Sequence, residues 1–595
     1  MAYLNKSTRK GGTYYSLHES YRDENGKVRT RHVKYIGSAE KLAGLKAGQV
    51  TDVRSYGDVR ALLSVVDGID MRKVVNAIVP KGGGVDAGRL FAILAMNRLI
   101  KPASKNGMAG WFSRTSLPDM LETDPGKLNS QNLSSFLDYL TDERIQRIED
   151  ALVTNAINKF RLDTESVIFD ITSTYTYGSI EGLSAHGHSR DHRPDLEQVN
   201  IGLAVTRNGY VPIMHRVFEG NVPDVVTLPS TAAALRSRSD RRITLIYDRG
   251  FLSESNINML DGLDQFDFVC GAKWTDDVTD VVDEARRDGL LQPLKERSDD
   301  DRLSSCQLLR DVYGKRRNVL VYHSTAKERT DRETRERRLE RTKVELEELC
   351  SSVDGMNKDH DKLVIALHKI TEGMKSFFDI EIVDHGPVDD IRIMRKDGIE
   401  VDQRRLRWLD ERLPAFISSL KGRGLKNQEV RRLINDELGD LRKYYKVEVE
   451  RTKRRSTFTF QIDDGKVKEA ERYDGLFVLL SSNAQHTAGE VLDIYTAKDG
   501  VEKGFMTIKN PIELAPLRHW TPQRVKAQIF ICTVAYMLYA LARLILRRAG
   551  EHGSVEDALA CLNDVKDYLI EGKGERLITK MTDEQLKLDL IFASQ

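Results

Sequence analysis

The first 160 residues change from a strand-like to a helical pattern of apolar positions. The segments TYYSLHESYR and KVRTRHVKYIG alternate apolar and polar residues on either side of the turn sequence DENG, which predicts strands within residues 1–37. From about residue 58 to 160, apolar residues recur at helical spacing, as in RLFAILAMNRLI and SSFLDYLTDERIQRIEDALV. The pattern therefore predicts a β-rich region over 1–57 and a helical domain over 58–160.

Residues 164–275 have a different pattern, made of short apolar runs. The runs ESVIFDIT, QVNIGLAVTR, VPIMHRVFEG, RITLIYD and DFVCGAKW predict strands, and LPSTAAALRS and ESNINMLDGL between them predict helices. Strands mixed with helices in this way indicate an α/β layer.

The pattern changes again over residues 276–470. AKERTDRETRERRLERTKVELEELC predicts a long charged helix, and a second charged helical region covers 400–445. The strand GLFVLLSS follows, then further helices, and the last 50 residues are amphipathic and helical. This order indicates that 276–470 forms a region of its own.

One apolar run, Ala527 to Ala542, is a candidate for a membrane span. It covers 16 residues and contains Gln528 and Thr533. Because a bilayer span needs about 20 apolar residues, a buried core helix is the better interpretation.

Composition and charge narrow the functional classes. The 595 residues carry a formal net charge of +1, so no general affinity for nucleic acid is indicated. Residues 1–50 and 501–550 are each locally +6, which concentrates basic side chains near both ends of the chain.

The five cysteines are scattered without a CxxC pair. Their spacing argues against a disulfide framework or a zinc ribbon. It predicts a protein of the reducing cytoplasm.

The segment IYTAKDGVEKGFMTIKN contains four chemically informative side chains. Tyr495, Lys498, Glu502 and Lys509 recur at intervals of three, four and seven, which predicts one stripe on a single helix. A carboxylate flanked by cations suits a site for a metal ion and phosphates. A solvated helix face with one Glu–Lys pair has the same pattern, so the segment alone leaves both interpretations open.

Two aspartates follow apolar strand runs. Asp170 comes directly after Val-Ile-Phe, and Asp248 directly after Leu-Ile-Tyr. An ionised carboxylate in such surroundings is costly unless it is paired, hydrogen-bonded or bound to metal; a turn or capping role is the alternative, especially for Asp248. With Glu502 they make three carboxylates, which are ligands suited to Mg²⁺ or Mn²⁺ in phosphoryl transfer.

These segments resemble the bacterial DDE transposases of the insertion-sequence-four (IS-four) superfamily, which have an RNase H-like catalytic core. That family has a signature in which a Tyr is followed, after two residues, by Arg, after three more by Glu and after six more by Lys. The 495–509 segment has this spacing, with Lys498 in place of Arg. The resemblance also covers FDITSTY, GHSRDHRPDLEQVNIGLAVTRNGYVPI, FEGNVPDVVTL and YDRGF, within residues 165–260 and 475–545.

The resemblance implies a fold. We expect an α/β RNase H-like core formed by 161–275 and 471–550, with a large insertion domain at 276–470. The basic N-terminal β region (1–57), the helical, DNA-binding region (58–160) and a C-terminal helical region (551–595) complete the expected organisation.

The resemblance also implies the roles of individual residues. Asp170, Asp248 and Glu502 are the expected catalytic and metal-binding triad, holding two Mg²⁺ or Mn²⁺ ions. The expected DNA contacts are Tyr495, Lys498 and Lys509. Arg193 and Gln198 are further expected DNA contacts, because of their position in or beside the polar segment GHSRDHRPD. In some relatives an aromatic residue of the insertion domain holds a flipped base, for which Trp274 and Trp408 are candidates. Gly500 and Gly504 are expected to let a DNA backbone approach.

The function implied is that of a cytoplasmic DNA transposase that cuts at the ends of its own mobile element and joins them to target DNA. Its expected partners are double-stranded DNA, as terminal inverted repeats and target, and a second copy of the chain on paired ends, with no membrane. Two alternatives remain: an RNase H-like nuclease that does not join strands, and a domesticated DNA-binding protein with an idle catalytic centre.

Overall fold

The structure, a computed structural model, describes residues 2–9, 12–22, 28–38, 50–80, 84–238, 241–298, 300–351, 358–384, 389–395, 403–420, 427–439, 442, 445–451, 455–570 and 576–594. The chain divides into two compact units. The larger contains Met1–Gly289, Cys306–Leu320 and Val478–Gln595, and the smaller contains Leu290–Ser305 and Val321–Phe477. The smaller unit overlaps the 276–470 region that the charge pattern sets apart.

The strands are, in chain order, β1 (Ala2–Arg9), β2 (Gly12–Arg22), β3 (Val28–Ser38), β4 (Val50–Ser55), β5 (Ser166–Thr176), β6 (Glu197–Thr206), β7 (Pro212–Glu219), β8 (Ile243–Tyr247), β9 (Phe266–Gly271), β10 (Gln292–Ser298), β11 (Asp301–Val312), β12 (Lys315–Ser324), β13 (Lys358–Asp359), β14 (Phe378–Asp384), β15 (Asp389–Arg395), β16 (Tyr445–Arg451), β17 (Arg455–Ile462), β18 (Leu476–Ser481), β19 (Lys566–Ile570) and β20 (Arg576–Ile578).

The α-helices are α1 (Gly57–Gly68), α2 (Met71–Ile78), α3 (Ala87–Ile100), α4 (Met108–Phe112), α5 (Leu117–Met120), α6 (Ser130–Tyr139), α7 (Asp142–Phe160), α8 (Asp224–Arg236), α9 (Glu254–Asp261), α10 (Asp276–Arg287), α11 (Thr325–Ser351), α12 (His360–Ile370), α13 (Gln403–Leu420), α14 (Asn427–Leu438), α15 (Asp464–Glu471), α16 (Ala488–Thr496), α17 (Asp499–Lys509), α18 (Pro522–Arg548), α19 (Val555–Asn563) and α20 (Asp583–Ala593).

The N-terminal region forms the antiparallel sheet β1-β2-β3. Strands β2 and β3 match the two predicted strands, and β1 adds a third that pairs with β2 from Ala2↔Glu19 to Arg9↔Gly12. The turn sequence DENG lies outside the described residues. Helices α1 to α7 occupy the predicted helical region, and β4 joins a separate sheet of order β20-β19-β4.

The main sheet of the larger unit is mixed. Strands β7, β6, β5, β8, β9 and β18 follow one another in that order, and β11 and β12 extend the sheet beyond β18. Strand β5 pairs antiparallel with β6 and parallel with β8, and β8 pairs parallel with β9. The buried runs Val167–Phe169 and Leu245–Tyr247 explain why β5 and β8 are central, since a central strand is covered on both faces.

Helix α18 is the main core helix of the larger unit. By length and composition it could cross a membrane, but 89% of its most apolar stretch is buried inside the protein. Side chains such as Phe530, Ala535 and Leu541 have no exposed surface. This burial matches the predicted core helix.

A charged cluster is buried beside this core. Glu149 on α7 accepts hydrogen bonds from the backbone N–H of His215 and from the Arg238 guanidinium, each at 2.8 Å. The side chain of Glu149 is 5% exposed and that of Arg238 is 17% exposed. Although burial opposes ionisation, His215 and Arg238 hold the pKa of Glu149 below its ordinary value. A buried carboxylate of this kind depends on its partners.

The smaller unit has two cores of its own. Helix α11 contributes Leu339 and Leu346 to one core, together with residues of α12, β14 and β17. The second core lies among α13, α14 and β16. Its sheets have the orders β13-β17-β14 and β15-β16. The long charged helix predicted from the sequence is present as the 27-residue α11, and an Arg335–Asp474 ion pair between side chains less than 10% exposed anchors it.

Candidate active site

Asp170 and Asp248 lie at corresponding points of two neighbouring strands of the main sheet. The parallel ladder pairs Ile168 of β5 with Ile246 of β8; two residues further along, Asp170 lies within β5 and Asp248 lies directly after β8. Adjacent strands are about 4.8 Å apart, so the two carboxylates are neighbours. The turn or capping alternative does not account for Asp170, because β5 continues beyond it to Thr176.

The carboxyl group of Asp170 is in an unfavourable environment for a charge. Burial raises its pKa from 3.8 to about 6; a backbone hydrogen bond at Ile171 and the cations Lys498 and Arg190 oppose the shift, and the Asp248 charge adds to it. Asp170 therefore lies within electrostatic range of both Asp248 and Lys498. A carboxylate held in this way is stabilised by any additional positive charge.

The segment that carries Glu502 is not one continuous helix. Helix α16 begins at a capping box, in which Thr487 and Glu490 satisfy each other's backbone N–H groups, and ends at Thr496. Helix α17 begins at Asp499, with Lys498 at its N-cap position. The prediction of a single helical stripe is therefore wrong at residues 497 and 498, where a two-residue turn separates the helices.

This turn brings Lys498 between two carboxylates. Its Nζ lies 3.0 Å from Oε1 of Glu502 and 3.7 Å from Oδ1 of Asp248. The Lys498 side chain is 14% exposed, against 56% for Glu502. Burial lowers the pKa of Lys498, but the carboxylates of Asp248, Glu502 and Asp170 outweigh burial and raise it above its ordinary value. The ammonium group is thus held as a cation.

Tyr495 fixes the position of Asp248. Its hydroxyl donates a hydrogen bond of 2.9 Å to Oδ1 of Asp248. Gly271 at the end of β9 makes this approach possible, because a Cβ there would lie 2.8 Å from the Tyr495 hydroxyl oxygen. Burial and the neighbouring Asp248 charge raise the pKa of Tyr495, so the hydroxyl stays protonated and remains a donor.

Two glycines let α17 lie close to the core. A Cβ at Gly500 would meet the Tyr210 ring at 2.1 Å, and a Cβ at Gly504 would meet the Tyr536 hydroxyl at 2.4 Å. Both glycines are buried. The expectation that they admit a DNA backbone is therefore wrong: tyrosine rings fill the space beside them.

Lys509, at the other end of α17, is bound to the loop between β5 and β6. Its Nζ donates a 2.6 Å hydrogen bond to Oδ1 of Asp191, and the two side chains are 13% and 16% exposed. Burial lowers the pKa of Lys509 despite the Asp191 charge. The neighbouring Arg190 bonds Asp224 through its guanidinium and Ser173 through its backbone N–H, each at 2.8 Å.

Asp191 and Arg190 were not identified from the sequence as site residues. The polar segment that contains them, GHSRDHRPD, is part of the family resemblance. It carried no information on which of its charges would face α17, because that depends on the folded path of the loop.

Arg193 and Gln198, predicted to contact DNA, occupy different environments. Arg193 forms a two-bond ion pair with Asp195, at 2.9 and 2.8 Å, and its guanidinium lies 5.3 Å from the centre of the Tyr175 ring. Gln198 is fully buried, and its amide donates to the carbonyls of Arg193 and Leu196. The structure therefore corrects the role of Gln198 from a DNA contact to a support for this loop.

The two tryptophans considered as base-holding residues receive no such role from the structure. Trp274 is 43% exposed and lies in the larger unit, outside the smaller one. The side chain of Trp408 lies outside the described residues.

The fit of a divalent metal ion can be judged from the donor set. Among the residues that the structure describes, no group of three or more His, Cys, Asp or Glu side chains is arranged to hold a metal ion. However, Asp248 and Glu502 already share one cation, the Lys498 ammonium, and Asp170 lies within its field. Carboxylate oxygens are the ligands that Mg²⁺ and Mn²⁺ prefer, so the chemistry of the three groups fits such an ion.

Comparisons with known proteins give a family match over part of the chain and a likeness to solved structures. Residues 4–52 match the N-terminal domain of IS1634 family transposases. No curated protein matches the chain. Among solved structures, the chain is similar to a piggyBac transposase in a synaptic complex with hairpin DNA, with 13% identity and a TM-score of 0.24, over 43% of this chain and 60% of that one. Because the TM-score is so low, this likeness carries no structural argument. The match of residues 4–52 supports a transposase role for this mixed α/β protein.

Proposed function

We propose that the chain is a DDE transposase of the IS-four type, which binds the ends of its mobile element and catalyses DNA cleavage and strand transfer. The observation that carries the proposal is the position of Lys498, in contact with Asp248 and Glu502 and within electrostatic range of Asp170. Three carboxylates from distant parts of the sequence are thereby linked through one cation. The transposase-like residues 4–52 support the same function.

The proposal includes an RNase H-like core. The strands β7-β6-β5-β8-β9 combine an antiparallel half with a parallel half. Asp170 lies within β5, and Asp248 follows the end of β8. The carboxyl ends of parallel strands are a common location for active sites in open α/β sheets. The smaller unit is the proposed insertion domain.

Asp170, Asp248 and Glu502 are the proposed ligands of Mg²⁺ or Mn²⁺, two ions per site. When bound, such ions supply charge neutralisation and Lewis-acid activation for phosphodiester chemistry. The chain's own residues have separate tasks. Tyr495 orients Asp248 through its hydrogen bond, while Lys498 and Lys509 are cations that can exchange a carboxylate partner for a DNA phosphate.

The proposed partner is double-stranded DNA, as terminal inverted repeats and as target, bound by a homodimer that holds paired ends in the cytoplasm. The basic residues of the N-terminal 50 positions supply a sequence-independent attraction for phosphates. Arg193, on the loop that Lys509 holds, is a further candidate for a phosphate contact.

The test is incubation of the full chain with DNA that carries the element ends, in Mg²⁺. The wild type should give cleaved and joined products, while Asp170→Asn, Asp248→Asn and Glu502→Gln should give neither and still bind the ends. Asp499→Asn is the matched control, because it removes an exposed carboxylate from the first turn of the same helix as Glu502.

Two results would change the proposal. If the three carboxylate variants produced as much cleaved DNA as Asp499→Asn, this site would not be the catalytic centre. Cleavage without joined products, in the presence of target DNA, would indicate a nuclease that does not transfer strands.

A further inference from the structure

The candidate site places three carboxylates around one lysine. Asp170, Asp248 and Glu502 would carry three negative charges when ionised, and Lys498 is the cation in direct contact with two of them. The Lys498 side chain is 14% exposed, whereas those of Asp248 and Glu502 are 38% and 56% exposed. In the metal-free protein the lysine ammonium therefore supplies part of the positive charge that the carboxylates need.

The oxygen atoms that Lys498 contacts belong to two of the proposed metal ligands. The Lys498 ammonium contacts Oδ1 of Asp248 and Oε1 of Glu502, and carboxylate oxygens are the ligands that Mg²⁺ and Mn²⁺ prefer. Oδ1 of Asp248 also accepts the Tyr495 hydrogen bond, which fixes that atom. A divalent ion and an ammonium group held at the same oxygens would repel each other strongly.

We propose that Lys498 is an internal counter-cation, which occupies the Asp248–Glu502 pair in the metal-free protein and has to leave it when a divalent ion binds. This inference rests on the proposed function, because it concerns the same three carboxylates. Lys498 is thus a positioning residue that sets the metal affinity of the free protein.

The chemistry of lysine suits this exchange. A lysine ammonium is a point charge on a flexible four-carbon stem, whereas an arginine guanidinium forms two fixed hydrogen bonds to a carboxylate. Lys498 also lies in the turn between α16 and α17 rather than within a helix, and Glu502 beside it is largely exposed. The displaced ammonium can therefore reach an anion outside the carboxylate pair, and a DNA phosphate is the anion that the proposed substrate offers.

The experiment measures Mn²⁺ binding to the full chain without DNA, by electron paramagnetic resonance of the free ion. Lys498→Met should bind Mn²⁺ about tenfold more tightly than the wild type, because the ion no longer has to displace an ammonium group from Asp248 and Glu502. Lys503→Met is the matched control: Lys503 is an exposed lysine on the same helix, and its removal should leave the affinity unchanged. Lys498→Gln should reproduce the gain, which guards against a folding defect peculiar to Met.

A second measurement tests the fate of the displaced lysine. Mn²⁺ should strengthen the binding of end DNA more in the wild type than in Lys498→Met, because only the wild type gains a free ammonium when the ion binds. Calorimetric titration of each protein with end DNA, with Ca²⁺ in place of Mn²⁺ where cleavage interferes, gives this difference.

The outcomes separate this inference from the proposed function. Unchanged or weaker Mn²⁺ binding by Lys498→Met and Lys498→Gln would overturn the counter-cation role, and would indicate that the lysine orders the carboxylates for the ion. If Asp248→Asn still abolished Mn²⁺ binding in that case, the proposed metal site would stand. An absence of Mn²⁺ binding in all of these proteins would overturn the counter-cation role, and the DNA cleavage assay would then decide the proposed function independently.

Discussion

Replacing Asp170 with asparagine should stabilise the metal-free protein at neutral pH. Burial raises the pKa of Asp170 from 3.8 to about 6, so the folded state holds a proton on this carboxyl more tightly than the unfolded chain does. The contribution of Asp170 to the free energy of unfolding is therefore fully present below about pH 4. It falls as the pH rises toward about 6 and stays low at higher pH. Because each pKa unit corresponds to about 1.36 kcal/mol, the charged form costs about 3 kcal/mol at pH 7.

Asparagine has nearly the same shape as aspartate and carries no charge, so Asp170→Asn removes this cost. Urea unfolding in a chelator, at several pH values between about 4 and 8, should show a gain of up to about 3 kcal/mol near pH 7 that shrinks toward zero near pH 4. Asp493→Asn, an exposed position on α16, should show no such gain. Added Mg²⁺ should stabilise the wild type and leave Asp170→Asn unchanged.

If Asp170→Asn were no more stable than the wild type at pH 7 in the chelator, or if its advantage did not depend on pH, burial would not be destabilising the ionised carboxylate. The variant should also lose DNA cleavage. A gain of stability with a loss of activity would identify Asp170 as a group retained for function at the expense of stability.

Three further predictions concern the surroundings of the site. Gly500→Ala should destabilise the protein by about 1–3 kcal/mol in thermal unfolding, because the new methyl group would overlap a tyrosine ring. In the same assay Gly110→Ala should be neutral, because a Cβ there would make only an ordinary contact with the Arg114 guanidinium at 3.8 Å. Tyr495→Phe should lower the rate of DNA cleavage by about tenfold or more with little change in the binding of end DNA, since Asp248 loses a hydrogen bond worth about 1.5–3 kcal/mol. Equal cleavage rates for this variant and the wild type would show that the hydrogen bond has no catalytic role. Arg238→Met should lower the free energy of unfolding in urea by about 3–5 kcal/mol, because the buried Glu149 carboxylate loses one of its partners. The control Arg242→Met, at an exposed arginine, should lower it by no more than about 1 kcal/mol.

The apolar pattern predicted most elements of the larger unit because its strands and helices are long and strongly patterned. The strand runs that end at Asp170 and Asp248 correspond to β5 and β8, and the run Ala527–Ala542 lies within α18. Each of these segments is buried nearly along its whole length, so its composition records its environment. The sequence also predicted β2 and β3, but not β1, whose alternation is weaker.

The details of the site could not be read from the pattern because they depend on tertiary contacts. A helical period is unchanged by a two-residue turn of helical conformation, so the break at Lys498 left no signal in the spacing of the 495–509 segment. Gly500 and Gly504 showed that something approaches the helix closely, but not that tyrosines do so. The pairing of Lys509 with Asp191 joins residues 318 positions apart, which a single sequence does not reveal.

The contact between Tyr495 and Asp248 joins residues 247 positions apart in the chain. A ribosome that adds roughly 5–20 residues per second needs about 13–50 s to proceed from Asp248 to Glu502, which follows it by 254 positions. Until α16 to α18 have been synthesised, the nascent chain has its N-terminal sheet and helices, but neither the partner of Asp248 nor the main core helix. If the proposed function is right, the order of the sequence delays activity until Tyr495 and Glu502 have been synthesised, and a product truncated before α16 should be inactive.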